Sequence, residues 1–133
     1  MFSNPKYHEY NKGLLLYRNA IINKLLLTLQ KKIEIFNQIY IFCYGYNGLA
    51  ISKILIKNGY CVKGFLDNNK LLIKNKILGL KIRSPYILKA KATSYKSNLL
   101  IIICNQFIKN IKNIRNQLMA IGIKKKQIIY KCI

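Results

Sequence analysis

Acidic side chains are almost missing from this sequence. Glu9, Glu34 and Asp67 are the only three carboxylates in 133 residues, and nothing after Asp67 is acidic. Paired-carboxylate acid–base chemistry therefore has no material to work with. Histidine occurs once, as His8, and the four cysteines (Cys43, Cys61, Cys104, Cys132) are far apart with no C-x-x-C pair. That spacing does not suit zinc. Three of the cysteines lie in strand-like apolar runs, where a free thiol behaves as a small buried hydrophobe. There is no P-loop and no hydrolase serine elbow. None of the ten tyrosines is followed four residues later by lysine, so the Tyr-x-x-x-Lys pair of reductases and epimerases is absent as well. A cysteine nucleophile is a remote alternative: Cys43 and Cys104 would end adjacent strands, and nearby lysines would lower their pKa values. No histidine partner is in view.

Long hydrophobic segments are also lacking. No run approaches the roughly 20 apolar residues that a spanning helix needs. The opening "MFSNPKYHEYNKG" is polar, unlike a signal peptide. The expected location is the cytoplasm, if need be peripheral to the inner membrane.

What is abundant is positive charge and aliphatic bulk. Lysine and arginine number 24, the formal net charge is +21, and 52% of residues are apolar. So apolar a chain folds, and its length suits one domain with a real core. Its field favours phosphate-bearing partners: nucleotides, nucleic acid or an anionic membrane surface. Part of the charge is compositional, since isoleucine, lysine and asparagine supply 24, 21 and 15 residues. The longest lysine run is Lys124 to Lys126, so the basic residues are expected to be scattered.

The order of elements follows from periodicity. Residues 1–12 are polar. Leu14 to Lys32 repeats as an amphipathic helix, with Leu15, Ile22, Leu25, Leu26 and Leu29 on one face, expected to pack on its own domain. Ile39 to Tyr44 and Leu99 to Cys104 are unbroken apolar runs, the signature of strands buried on both faces, and should be neighbouring central strands. A helix is predicted from Gly48 to about Asn58, with Gly59 just past its end, then a strand over Tyr60 to Leu66. "KILGLKI" reads as one short strand and "SPYILKA" as a short helix with Pro85 in its first turn. Phe107, Ile111, Ile114, Leu118 and Ile121 mark an amphipathic helix ended by Gly122, and "KKKQIIYKCI" contains a last strand. Strands alternating with helices give an α/β fold with a parallel sheet. The expectation is a single Rossmann-like three-layer domain with about five strands over residues 38–133, preceded by the polar segment and amphipathic helix of residues 1–37.

In such sheets ligands bind beyond the carboxyl ends of the strands, where strand order reverses. After the first strand comes "CYGYNG". Gly45 and Gly48 match the second and third glycines of the G-x-G-x-x-G fingerprint, and Cys43 occupies the first position. The second glycine admits a pyrophosphate and the third lets helix and strand pack closely; a side chain in the first position narrows the floor. Asp67 lies 22 residues beyond Gly45, where the fingerprint places an acid for ribose hydroxyls. A ligand-free tight turn, with Asp67 capping the next turn, is the bland alternative. The candidate site is Gly45, Tyr46, Asn47 and Gly48 after the first strand, Asp67 and Asn68 after the second, and Cys104 at the end of the apolar strand.

The run "IFCYGYNGLAISKILIKNGYCVKGFLDNN…ILGLKIRSPYIL…LLIIICN" resembles the Rossmann-like module of bacterial surface-polysaccharide biosynthesis proteins. That module begins sugar O-acyltransferases and nucleotide-sugar epimerases and dehydratases, and accompanies FkbM-type methyltransferases. Its short motifs correspond here to Gly64–Asn68, Gly79–Ile82, Ser84–Pro85 and Gln117–Ile123, within about residues 38–130. The resemblance implies a nucleotide, nucleotide-sugar or NAD(P) at Gly45, Gly48 and Asp67. The expected function is a nucleotide- or nucleotide-sugar-binding module, incomplete or degenerate, not catalytic on its own, and partnered by a separate catalytic chain. The rival is a basic nucleic-acid-binding protein on an α/β scaffold.

Overall fold

A computed structural model describes residues 20, 23–32, 36–43, 46–105 and 107–130, Tyr46 by its backbone alone. Residues 1–19, Glu34, Gly45, Cys132 and the end of the expected last strand fall outside the described residues.

A helix over residues 23–32 (α1) precedes β1 (Gln38–Phe42), α2 (Tyr46–Lys57) and β2 (Val62–Leu66). The chain continues through β3 (Lys76–Ile77), β4 (Leu80–Arg83), a 3-10 turn at Pro85–Leu88 and α3 (Thr93–Ser97). It closes with β5 (Leu99–Ile103), α4 (Ile108–Ala120), a second 3-10 turn at Lys125–Gln127 and β6 (Ile128–Ile129). The six strands form one sheet in the order β3-β4-β2-β1-β5-β6, and every pairing is parallel except β3 with β4.

β1 and β5 are central neighbours, in register from Gln38 opposite Leu99 to Phe42 opposite Ile103. All five β5 residues are buried. Their side chains alternate between two apolar layers, which is why neither strand shows a polar period. On one face Ile39, Ile41, Phe65, Leu100 and Ile102 pack with Leu25 and Leu29 of α1 and Ile51 and Leu55 of α2. On the other, Tyr40, Phe42, Leu66, Ile101 and Ile103 pack with Leu88 and with Ile114, Leu118 and Ile121 of α4. Burying one such side chain fully is worth about 1.5–3 kcal/mol. Helices on both faces make the domain three-layered, and α1 belongs to its core.

The helix ends follow their local chemistry. At the end of α2, Tyr60 N–H bonds the Leu55 carbonyl and Gly59 N–H that of Ile56, each at 3.0 Å. At the end of α4, Ile123 N–H bonds Leu118 at 3.0 Å and Gly122 N–H bonds Met119 at 3.1 Å. Both are Schellman endings with glycine at a positive φ of 83° and 101° respectively. Lys96 adds a cation there, its Nζ donating to the Ile121 carbonyl at 3.1 Å. Buried Gln127 positions β6: its Nε2 donates to the carbonyls of Lys96 (2.6 Å) and Leu99 (2.8 Å), and its Oε1 accepts from Lys124 N–H at 3.0 Å.

Several expectations are corrected. "KILGLKI" is a hairpin rather than one strand, because Leu78 and Gly79 both take positive φ (55° and 74°) and turn the chain back. Among the described residues this raises the strand count from five to six. The helix expected over "SPYILKA" is a single 3-10 turn, capped by Ser84 Oγ accepting from Tyr86 N–H at 3.3 Å. α3 was not expected, and its N-cap, Ala92, makes no side-chain bond that would have announced it. α2 starts at Tyr46 rather than Gly48. Phe107, assigned to the inner face of α4, is the extended residue before the helix and is 67% exposed. Cys61, expected to be buried, is exposed just ahead of β2.

Candidate functional site

The carboxyl ends of β1, β2 and β5 meet where the strand order reverses. From β1 the chain passes through α2 to β2 on one side, and returns later to place β5 on the other. Backbone bonds tie the three ends together: Cys43 N–H to the Leu66 carbonyl (2.8 Å), Cys104 N–H to that of Phe42 (2.9 Å) and Asp67 N–H to that of Arg83 (3.0 Å). Cys43, just past the end of β1, therefore sits between the loop of Asp67 and the loop of Cys104 and Asn105.

Cys43 adopts φ 71°, the left-handed conformation that glycine in the first fingerprint position takes without cost. For a residue with a Cβ this costs roughly 1–2 kcal/mol. Its half-buried thiol accepts a long bond from Asn105 Nδ2 at 3.8 Å. Burial pushes the Cys43 thiol up; the Asn105 bond opposes this and the nearby Asp67 carboxylate adds to it. The expectation that lysines would depress this pKa is thus reversed. The thiol stays protonated at neutral pH and is a poor nucleophile.

Gly48, one turn into α2, is where helix and strand touch. A Cβ there would lie 2.5 Å from the Cys43 carbonyl oxygen and 3.4 Å from Ile41 Cγ2. Only glycine lets α2 begin this close to the end of β1, the packing role of a third fingerprint glycine. The first-turn amides of α2 have no intrahelical acceptors and lie at the positive end of a 12-residue helix. Tyr46 opens this turn, and Asn47 follows it, half-buried. Gly45 lies outside the described residues.

Asp67 stands beside this turn, close enough to act on the Cys43 thiol. Its Oδ1 accepts from Asn69 N–H at 2.8 Å, so it also shapes the following turn, as the bland alternative foresaw. Asn68 makes a reciprocal amide pair with Gln117 of α4: each Nδ2 or Nε2 donates to the other's oxygen at 2.9 Å. This clasp between residues 49 apart turns the Asn68 amide toward α4. Cys104 is buried, completing the floor through its backbone.

Two participants were not anticipated. Asn105 links the β5 loop to Cys43 and, through Oδ1 accepting from Phe107 N–H at 2.8 Å, shapes the entry to α4. Its signal was an asparagine directly after the most apolar strand. Gln117 opens the Gln117–Ile123 motif of the resemblance, but nothing in that motif pointed to a partner in the Asp67 loop. Among the described residues no three His, Cys, Asp or Glu side chains gather as a metal site would require.

No protein-family model and no curated protein matches this sequence. Solved structures do match. A Rex-family repressor aligns with TM-score 0.57 and 20% identity over 81% of this chain and 58% of its own. The structure of that repressor in complex with beta-NAD+ and operator DNA aligns with TM-score 0.56 and 20% identity over 82% and 57%. UDP-D-quinovosamine 4-dehydrogenase from Vibrio fischeri aligns with TM-score 0.55 and 16% identity over 71% of this chain and 77% of that one. The fold is Rossmann-like. At these identities the likeness is one of fold, and this chain spans less than three-fifths of the repressor's length.

Proposed function

We propose that this Rossmann-like domain binds a nucleotide at the carboxyl ends of β1 and β2, with NAD(H) and nucleotide-sugars as the ligand classes to try first. The observation behind it is the packing at Gly48. A backbone oxygen stands 2.5 Å from where any other residue's Cβ would go, at the start of a helix placed on the switch point of the sheet. That arrangement directs helix N–H groups at a phosphate, and Asp67 lies on the side where ribose hydroxyls would fall. Support comes from two solved relatives in fold: the Rex-family repressor has been solved with beta-NADH, and the Vibrio fischeri enzyme acts on a UDP-sugar. In this reading Gly45, Tyr46, Asn47 and Gly48 receive the phosphates, Asp67 the ribose, and Asn68 and Cys104 shape the walls. A service to surface-polysaccharide biosynthesis in the cytoplasm, beside a separate catalytic chain, is the finer form of the proposal. Among the described residues no helix is long and apolar enough to cross a membrane.

A second reading rests on the net charge of +21. The Rex-family repressor has been solved with operator DNA as well as with beta-NAD+, and nucleic-acid binding fits so basic a chain.

Titration with NADH, UDP and random duplex DNA at two salt concentrations separates the two readings, because counterion release gives a steep salt slope for DNA. Asp67→Ala is expected to weaken nucleotide binding by about 1–3 kcal/mol, the loss of hydrogen bonds to a charged acceptor. Unchanged affinity in a folded Asp67→Ala protein removes Asp67 from the site. Cys43→Gly is expected to tighten nucleotide binding by clearing the floor. Its melting temperature should rise slightly, because relief of the left-handed strain, about 1–2 kcal/mol, is only partly offset by the greater freedom of glycine in the unfolded chain, about 0.5–1 kcal/mol. Weaker nucleotide binding by this variant would show that the thiol is part of the site.

A further inference from the structure

We propose that the face of the sheet beside Tyr40 holds a second site, separate from the strand-end crevice, that takes a diphosphate group, either free or carried by a nucleotide. The site is a cleft of about 320 Å³ lined by Tyr40, Lys63, Gly64, Gly79, Leu80, Lys81 and Arg83. This volume lies at the lower end of the range for small-molecule pockets.

Three features of the strands build it. Lys81 and Arg83 flank Ile82, whose side chain enters the opposite core layer, so strand alternation turns both cations to the cleft side. The register of β2 against β1 slips between Ile39 opposite Val62 and Tyr40 opposite Gly64. That extra residue is Lys63, and the bulge re-aims it into the same cleft. Gly64, on the floor, lets β4 approach closely beside Tyr40, since a Cβ there would lie 2.9 Å from the Lys81 carbonyl oxygen and 3.8 Å from Tyr40 Cε1.

Among the described residues the connection from β4 to β5 carries no long helix across the cleft. Its regular structure is a four-residue 3-10 turn and the five residues of α3, and its Leu88 and Tyr95 pack into the layer that holds Tyr40, Phe42, Ile101 and Ile103. Tyr40 forms an apolar wall whose hydroxyl pairs with that of Tyr95 at 3.2 Å. Burial, together with this bond, holds the Tyr40 hydroxyl well above the usual tyrosine range, so it stays protonated. Among the described residues no carboxylate lines the cleft. Three cations drawn together repel one another, and a multivalent anion with spread charge relieves that repulsion while accepting bidentate bonds from Arg83.

The test is a titration of the full 133-residue chain, labelled with nitrogen-15, with pyrophosphate and separately with ADP, followed by NMR. The Gly64 and Gly79 amides are expected to shift and saturate with at least one of the two, and the responding probe tells whether the diphosphate is free or nucleotide-borne. Lys63→Gln combined with Lys81→Gln should weaken that binding about tenfold or more, the scale of lost charge-assisted hydrogen bonds. Lys109→Gln combined with Lys112→Gln, on the exposed face of α4, should leave it unchanged. Asp67→Ala should not alter the Gly64 and Gly79 shifts, so this site and the strand-end site stand or fall apart. The proposal is overturned if both double variants lose affinity equally, if neither probe moves Gly64 and Gly79, or if duplex DNA alone binds.

Discussion

Phe65→Ala is expected to cost about 3–5 kcal/mol of folding stability, the range for removing a buried phenyl ring. Phe65 is fully buried at the middle of the sheet, opposite Ile41 of β1 and Ile82 of β4. It shares its layer with Leu25, Leu29, Ile51 and Leu55, so the cavity left by alanine faces both α1 and α2. The strands on either side are tied by ladders and cannot close inward to fill it. A loss of that size is a large part of the roughly 5–15 kcal/mol that stabilises a domain of this kind. Chemical denaturation of wild type and variant would measure it. A loss under about 1 kcal/mol would mean that this layer is loosely packed, contrary to the burial seen.

Gly48→Val is the second large effect, expected at about 3 kcal/mol, the upper part of the range for overpacking. A Cβ at this position meets the Cys43 carbonyl oxygen at 2.5 Å, and the obstacle is backbone rather than a side chain that can swing away. To accept valine, α2 must lift from β1, carrying Ile51 and Leu55 out of the core with it. The same displacement would move the first-turn amides away from the strand ends, so nucleotide binding should fall together with stability. Gly59→Ala provides the comparison: nothing lies within 4 Å of a Cβ there, and only the positive φ of 83° opposes it. Its cost should be about 1–2 kcal/mol, with no change in nucleotide affinity. Equal effects of the two substitutions on binding would separate the nucleotide site from the Gly48 turn.

Much of this architecture was legible without coordinates. Ile39–Phe42 and Leu99–Ile103 announced themselves because strands buried on both faces have no polar alternation. The ends of α2 and α4 were legible because a Schellman ending is a local event, completed within the few residues around Gly59 and Gly122. Gly48 was identified from its place between an apolar strand and a helix, and the structure supplies the steric reason.

The misreadings share a cause. The "KILGLKI" hairpin depends on Leu78 accepting a positive φ, which leucine does not advertise. α3 has no side-chain cap. Phe107 continues the helical period of α4 but stops one residue short of the helix. Cys61 sits in an apolar run yet precedes the strand proper, so among the described residues nothing covers it.

The sequence by itself determined the alternation of strands and helices, the identity of the central pair, the helix ends and the tight approach at Gly48. These depend on side-chain period and on conformations set within a few residues. Only the tertiary structure decided what meets across the sheet: the Asn68–Gln117 clasp, Asn105 against Cys43, and Lys63, Lys81 and Arg83 around Tyr40. Those groups are brought together by strand order, by the register slip of β2 against β1 and by the short crossover before β5. Such relations join residues far apart in the chain, and no local pattern of residues encodes them.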